Sequence, residues 1–189
     1  MKILILDNYD SFTYNLVHYV KELSDAEVRV ARNDQITLDE VEEFSHILLS
    51  PGPGLPKEAG IMDQVIKKYA KTKSIFGVCL GMQAIGEAFG GELRNLDKVF
   101  HGLAMSMEIL KRDEKIFSGL PKKLLVGRYH SWVVESNSLP QDLEITAEDE
   151  NGLIMALRHK TLNVRGVQFH PESVLTEYGK EMIENWLSI

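Results

Sequence analysis

Three short, unbroken apolar runs constrain this chain more than any other feature: Ile3-Leu4-Ile5-Leu6, Ile47-Leu48-Leu49 and Ile75-Phe76-Gly77-Val78. Continuous rather than alternating hydrophobicity is the pattern of a strand covered on both faces. Such a strand needs helices above and below it, so repeated βα units on a parallel sheet are the expected solution. The stripe Phe12, Leu16, Val17, Val20 and Leu23 marks a first helix, preceded by the cap-forming residues Asp7-Asn8-Tyr9-Asp10-Ser11. The same reading predicts strands over 28–31, 46–50 and 74–78, a short acidic helix over 37–44, and helices over 61–71 and about 82–89.

Beyond Gly91 the texture changes to short alternating segments at 106–110, 124–129, 132–134, 143–147, 154–159 and 164–169, read as antiparallel strands that complete or extend the sheet. A last helix is expected over about 178–187, with Met182, Ile183, Trp186 and Leu187 inward. The fold class is therefore α/β, a largely parallel open sheet flanked by helices with added antiparallel strands. A chain of 189 residues, 44% of them hydrophobic, forms one domain and buries a core without disulfide staples.

Charge and cysteine content narrow the function. A net charge of −7 disfavours a backbone-driven grip on nucleic acid, which needs a positive surface. The opening apolar stretch is too short for a signal peptide or a membrane span, so a cytoplasmic location without membrane attachment is expected. His18, His46, His101, His130 and His159 lack metal-ligand spacing, and neither a metal nor a cofactor is assigned. The single cysteine, Cys79, matters through its chemistry or its packing.

Cys79 lies in Gly77-Val78-Cys79-Leu80-Gly81, after a predicted strand and before a predicted helix. That is the setting of a nucleophile elbow, a sharp turn whose flanking glycines avoid backbone collisions. A helix N-terminus there lowers a thiol pKa and offers the Leu80 N–H to an oxyanion. On this motif alone, a nucleophile and a small buried hydrophobe fit equally well. A base tips the balance, and His170-Pro171-Glu172 supplies one. Residues two apart in extended chain point the same way, so the Glu172 carboxylate can orient the His170 imidazole, with Pro171 keeping His170 out of the helical region. The loop Ser50-Pro51-Gly52-Pro53-Gly54-Leu55-Pro56 ends another strand and can bring backbone N–H groups close to a ligand. It lacks the spacing of a nucleotide-binding loop.

Together these motifs, with the segment from Asp7 to Asn15, Met82-Gln83 and Tyr129-His130-Ser131, resemble the class I (triad) glutamine amidotransferases. The Asp7-Asn8-Tyr9-Asp10-Ser11-Phe12-Thr13 opening is similar to the glutaminase subunits of two chorismate-using synthases, anthranilate synthase (component II) and aminodeoxychorismate synthase. The resemblance implies a flavodoxin-like fold in which Cys79 attacks the side-chain amide of L-glutamine, His170 shuttles the proton and Glu172 orients it. It further implies an oxyanion hole at Gly52 and the Leu80 N–H, glutamine binding by Gly52, Pro53, Gly54, Leu80, Gln83, Ser131 and Trp132, and, for its partner, the large subunit of such a synthase. Leu103-Ala104-Met105 and Trp132 depart from the family pattern. Other triad glutaminases, such as the one serving GMP synthase, or a catalytically silent interaction subunit, are the alternatives. Capping by Asp10 and Ser11 and core packing by Tyr14 are the expected roles of the opening loop.

Overall fold

The computed structural model describes residues 1–189. In chain order the elements are β1 (Lys2–Asp7), α1 (Thr13–Leu23), β2 (Glu27–Arg32), α2 (Leu38–Val41), β3 (His46–Leu49), α3 (Met62–Tyr69), β4 (Ser74–Val78), α4 (Leu80–Ala88) and β5 (Leu93–Asn95). Then follow β6 (Leu103–Ile109), β7 (Lys123–Arg128), β8 (Trp132–Val134), β9 (Leu143–Asp149), β10 (Ile154–His159), β11 (Val164–Val167) and α5 (Gly179–Leu187). A nine-stranded sheet runs β2-β1-β3-β4-β11-β10-β9-β6-β7. No helix is long and apolar enough to cross a membrane.

The continuous apolar runs do what their pattern requires. Ile3 and Ile5 of β1 enter one core with Leu16, Val17 and Val20 of α1 and Met182, Ile183 and Trp186 of α5. Leu4 and Leu6, pointing the opposite way, enter a second core with Val65 and Ile66 of α3 and Ala84 and Ile85 of α4. The period of two along each strand divides its residues between the two layers.

Two expectations about the second half of the chain need correction. β11 is not antiparallel to both of its neighbours. It pairs parallel with β4 in the register Val167↔Val78, and antiparallel only with β10. The chain reaches it by a hairpin from β10 rather than through a helix, and the local pattern of a buried strand does not distinguish these routes. The Trp132–Val134 segment does not extend the main sheet: it forms a separate two-stranded sheet with β5, a strand that its short, exposed sequence concealed.

The expected start of the first helix also changes. The residue before Thr13 is Phe12, which gives α1 no side-chain cap. Asp10 Oδ1 instead accepts the Phe12 N–H at 2.7 Å, Asp7 Oδ1 accepts the Tyr9 N–H at 2.9 Å, and Ser11 caps nothing. Tyr14 is 66% exposed and not part of the core, because it lies off the apolar stripe that faces the sheet.

Trp186 joins the helical layer to the central strands. It is fully buried, stacks on Phe76 with ring centroids 5.6 Å apart, and donates from Nε1 to Ser74 Oγ at 3.1 Å. Trp186→Ala should cost about 3–5 kcal/mol, the range for removing a large buried aromatic. Urea unfolding of the variant measures this, and a loss below about 1 kcal/mol would contradict the packing role.

Candidate active site

The site forms where β1, β3, β4 and β11 end, at the carboxyl edge of the parallel strands where open α/β sheets place ligand crevices. Cys79 follows β4 with φ 53° and ψ −102°, a rare conformation for a residue with a Cβ. The neighbouring glycines make it possible. A Cβ on Gly77 would lie 2.4 Å from the Gly81 carbonyl carbon, and one on Gly81 would lie 2.5 Å from the Leu49 oxygen. Helix α4 therefore starts at Leu80, two residues earlier than its apolar pattern suggests, and packs directly over the ends of β3 and β4.

The Pro-Gly loop after β3 is held from beneath by Asn8. The Asn8 backbone N–H donates to Ser50 Oγ and its Nδ2 to the Ser50 carbonyl, both at 2.8 Å, while Asn33 Nδ2 donates to Asn8 Oδ1 at 3.0 Å. Gly52 sits between Asn8 and Leu80, and a Cβ there would meet Asn8 atoms at 2.6 Å and Leu80 Cδ2 at 2.8 Å. The Gly52 and Leu80 amides make no hydrogen bond within the chain, so both remain available to an anionic oxygen.

His170 comes from the neighbouring strand end. The Cys79 N–H donates to the Val167 carbonyl at 2.8 Å, which fixes the two strand exits side by side. His170 Nδ1 is 2.7 Å from Glu172 Oε1; a carboxylate accepts, so Nδ1 carries the proton and Nε2 is left toward Cys79 without a hydrogen-bond partner. The imidazole is wedged between Tyr129 and Phe12, with ring centroids at 4.8 and 5.6 Å. Burial disfavours its charged form, but the Cys79 and Glu172 side chains beside it outweigh that penalty and raise its pKa to about 10. At neutral pH the imidazole is therefore protonated.

A pocket of about 200 Å³ opens above Cys79, lined by Gly52, Pro53, Gly54, Leu80, Gln83, Tyr129, His130, Ser131 and Trp132. Every residue expected to bind substrate thus lies on one wall or another, while His170 and Glu172 stand buried behind Cys79. Gln83 spends its amide hydrogens inside the chain, on the Trp132 carbonyl at 2.9 Å and Gln168 Oε1 at 3.2 Å, and its own oxygen faces no internal donor.

Several contributors carry no signal of their own in the sequence. Phe12 reads as one more residue of an apolar stripe, yet it packs on the base. Arg128 is fully buried, ion-paired with Asp149 at 2.6 Å, stacked on Phe100, and donates to His130 Nε2 at 3.1 Å. Burial first and the Arg128 charge second push the His130 pKa down to about 3, so that histidine is neutral. Gln168 is legible in principle, because 168, 170 and 172 share one parity in extended chain.

The imidazole can be titrated. NMR of the His170 imidazole should show a protonated ring through neutral pH, and Cys79→Ser, which replaces a side chain that raises its pKa, should lower its midpoint by about 1–3 units. The same midpoint in both proteins would exclude a Cys79 contribution.

Comparison with known proteins gives the family. The family model "Glutamine amidotransferase class-I" matches residues 4–189. The chain is 50% identical over 192 residues to anthranilate synthase component 2 of Pseudomonas aeruginosa (98% of this chain, 94% of the relative). It is 49% identical over 188 residues to the aminodeoxychorismate/anthranilate synthase component 2 of Bacillus subtilis (98% and 95%). It is also 49% identical to the bifunctional protein TrpGD of Thermotoga maritima, covering all of this chain but only 32% of that protein. Among solved structures, a Thermoplasma acidophilum protein assigned to a GMP synthase superposes with a TM-score of 0.89 at 26% identity, over 100% of this chain and 92% of that one. On the full-length family match and the near-50% relatives, this chain belongs to the class I glutamine amidotransferases.

Proposed function

We propose that this chain is the glutaminase component of a chorismate-using synthase, releasing ammonia from L-glutamine for a separate large subunit. The observation that carries this reading is the meeting of Cys79 with the His170–Glu172 pair at the floor of a pocket whose walls offer two free backbone N–H groups.

In this reading the Cys79 thiolate adds to the side-chain amide carbon of glutamine, and the negative charge that develops on the amide oxygen is met by the Gly52 and Leu80 N–H groups. His170 gives its proton to the departing nitrogen, so ammonia leaves and a γ-glutamyl thioester remains. The neutral imidazole then takes a proton from water as it attacks the thioester, and glutamate and the thiolate are restored with the imidazolium. Glu172 accepts from Nδ1 throughout and keeps the ring oriented. Gln83, Ser131 and Trp132 line the side of the pocket where the amino-acid end of glutamine would rest.

The partner is inferred from the relatives, whose names describe the second component of anthranilate and aminodeoxychorismate synthases. The Bacillus relative carries both products in its name, and the reading covers both. Identities near 50% favour these synthases over the GMP synthase neighbour at 26%. An intact nucleophile and base argue against a silent interaction protein. A chain whose single cysteine is free also suits a reducing compartment, which supports the cytoplasm.

Reconstitution with the large subunit tests the division of labour. Cys79→Ala should lower glutamine-dependent synthesis by about 10³-fold or more, while synthesis from added ammonium salt continues at the wild-type rate. Loss of both activities in an assembled complex would overturn the reading.

A further inference from the structure

We propose that Gln168 is a catalytic hydrogen-bond donor to the nucleophile, its Nε2 lying 3.5 Å from Cys79 Sγ and holding the sulfur as a thiolate aimed at the pocket. The proposal rests on the reading of Cys79 as the nucleophile and adds a group to the triad.

The first support is position. Val167 pairs with Val78 at the end of the parallel β11–β4 ladder, so the residues that follow the two strands, Gln168 and Cys79, are neighbours where the sheet ends. Gln168 is completely buried, and its backbone N–H donates to the Met155 carbonyl at 2.8 Å, which ties it to β10. A buried carboxamide must satisfy its polar groups, and this one has the sulfur on one side and Gln83 on the other.

The second support is polarity, because the surrounding groups decide which end of the amide meets the sulfur. Arg128 has only donors, so His130 Nε2 must accept from it. The His130 proton is then on Nδ1 and is donated to the Trp132 carbonyl at 3.0 Å. That carbonyl can only accept, so Gln83 must turn its Nε2 toward it. The same Nε2 faces Gln168 at 3.2 Å, which requires an oxygen there. Gln168 is left with its N–H groups toward Cys79. Reversing it would set two amide nitrogens against each other and an oxygen against a thiolate. The buried Arg128–Asp149 pair thus orients, through a relay of obligate partners, a donor at the reacting atom.

Other charged or titratable groups near the sulfur are few. His170 faces it, Glu172 acts from behind the imidazole, Tyr129 packs on the imidazole, and His130, neutral, is bonded to the Trp132 carbonyl. Among these neighbours Gln168 is the neutral donor, and it stabilises the thiolate without taking up or releasing a proton.

The test uses the fact that Cys79 is the chain's single cysteine, so thiolate absorbance and alkylation by iodoacetamide report on it alone. In Gln168→Met, which keeps length and loses the donor, the midpoint for thiolate formation should rise by about one pH unit, the effect of one hydrogen bond to a charged group. Gln168→Glu keeps the acceptor for Gln83 and puts a negative charge beside the sulfur, so its midpoint should rise further, and it serves where the Met variant folds poorly. In both, kcat for glutamine should fall about tenfold with KM nearly unchanged at a pH below the midpoint. Profiles that superimpose on the wild type in folded variants, or midpoints that fall, would overturn the proposal. An ordinary thiol midpoint in the wild type, unmoved by His170→Ala, would overturn the nucleophile reading and this proposal with it.

Discussion

The contact between the start of α4 and the ends of β3 and β4 is the constraint on which the rest of the site depends. Two glycines permit it, Gly77 against the Gly81 backbone and Gly81 against the Leu49 carbonyl. With the helix that close, the chain between Val78 and Leu80 has room for only one residue in a strained turn, and Cys79 occupies it at positive φ. Strain of this kind, of order 1–3 kcal/mol, survives only where surrounding packing over-determines the backbone. Here Val78 and Leu80 belong to opposite core layers, so relaxing the turn would pull one of them out.

The same sheet geometry brings the other groups within reach. Parallel strands leave the sheet at one edge, and four of them deliver Asn8, the Ser50–Gly54 loop, Cys79 and Gln168 there, with His170 just beyond. Each group comes from a rigid strand end rather than from a free loop, and backbone bonds such as Cys79 N–H to Val167 carbonyl set their spacing. The antiparallel half contributes the opposite wall through Tyr129, Ser131 and Trp132, anchored by the small β5–β8 sheet.

Electrostatics in the site follows from burial. A protonated imidazole would be costly alone in a dry interior, and the Cys79 and Glu172 side chains on either side of His170 offset that cost. Another buried pair, Arg128 with Asp149, is fully shielded from water and makes no contact with Cys79. Its effect passes through hydrogen bonds whose direction is dictated by which atoms can donate. A polar network with every orientation specified is rigid, and it holds the groups around Cys79 in place.

What could be read from residues alone was the local chemistry. Unbroken apolar runs announced doubly covered strands, the Gly-flanked Cys79 announced a strained strand-to-helix turn, and the parity of His170 and Glu172 announced an imidazole beside a carboxylate, because each depends only on nearest neighbours along the chain. Tertiary structure alone decided that β11 lies parallel beside β4, that Phe12 and Tyr129 enclose the imidazole, that Tyr14 is exposed, and that Gln168 reaches the sulfur. These relations join residues far apart in sequence, where no local period carries a signal: strand order and the distance between side chains arise only when both core layers close around the sheet.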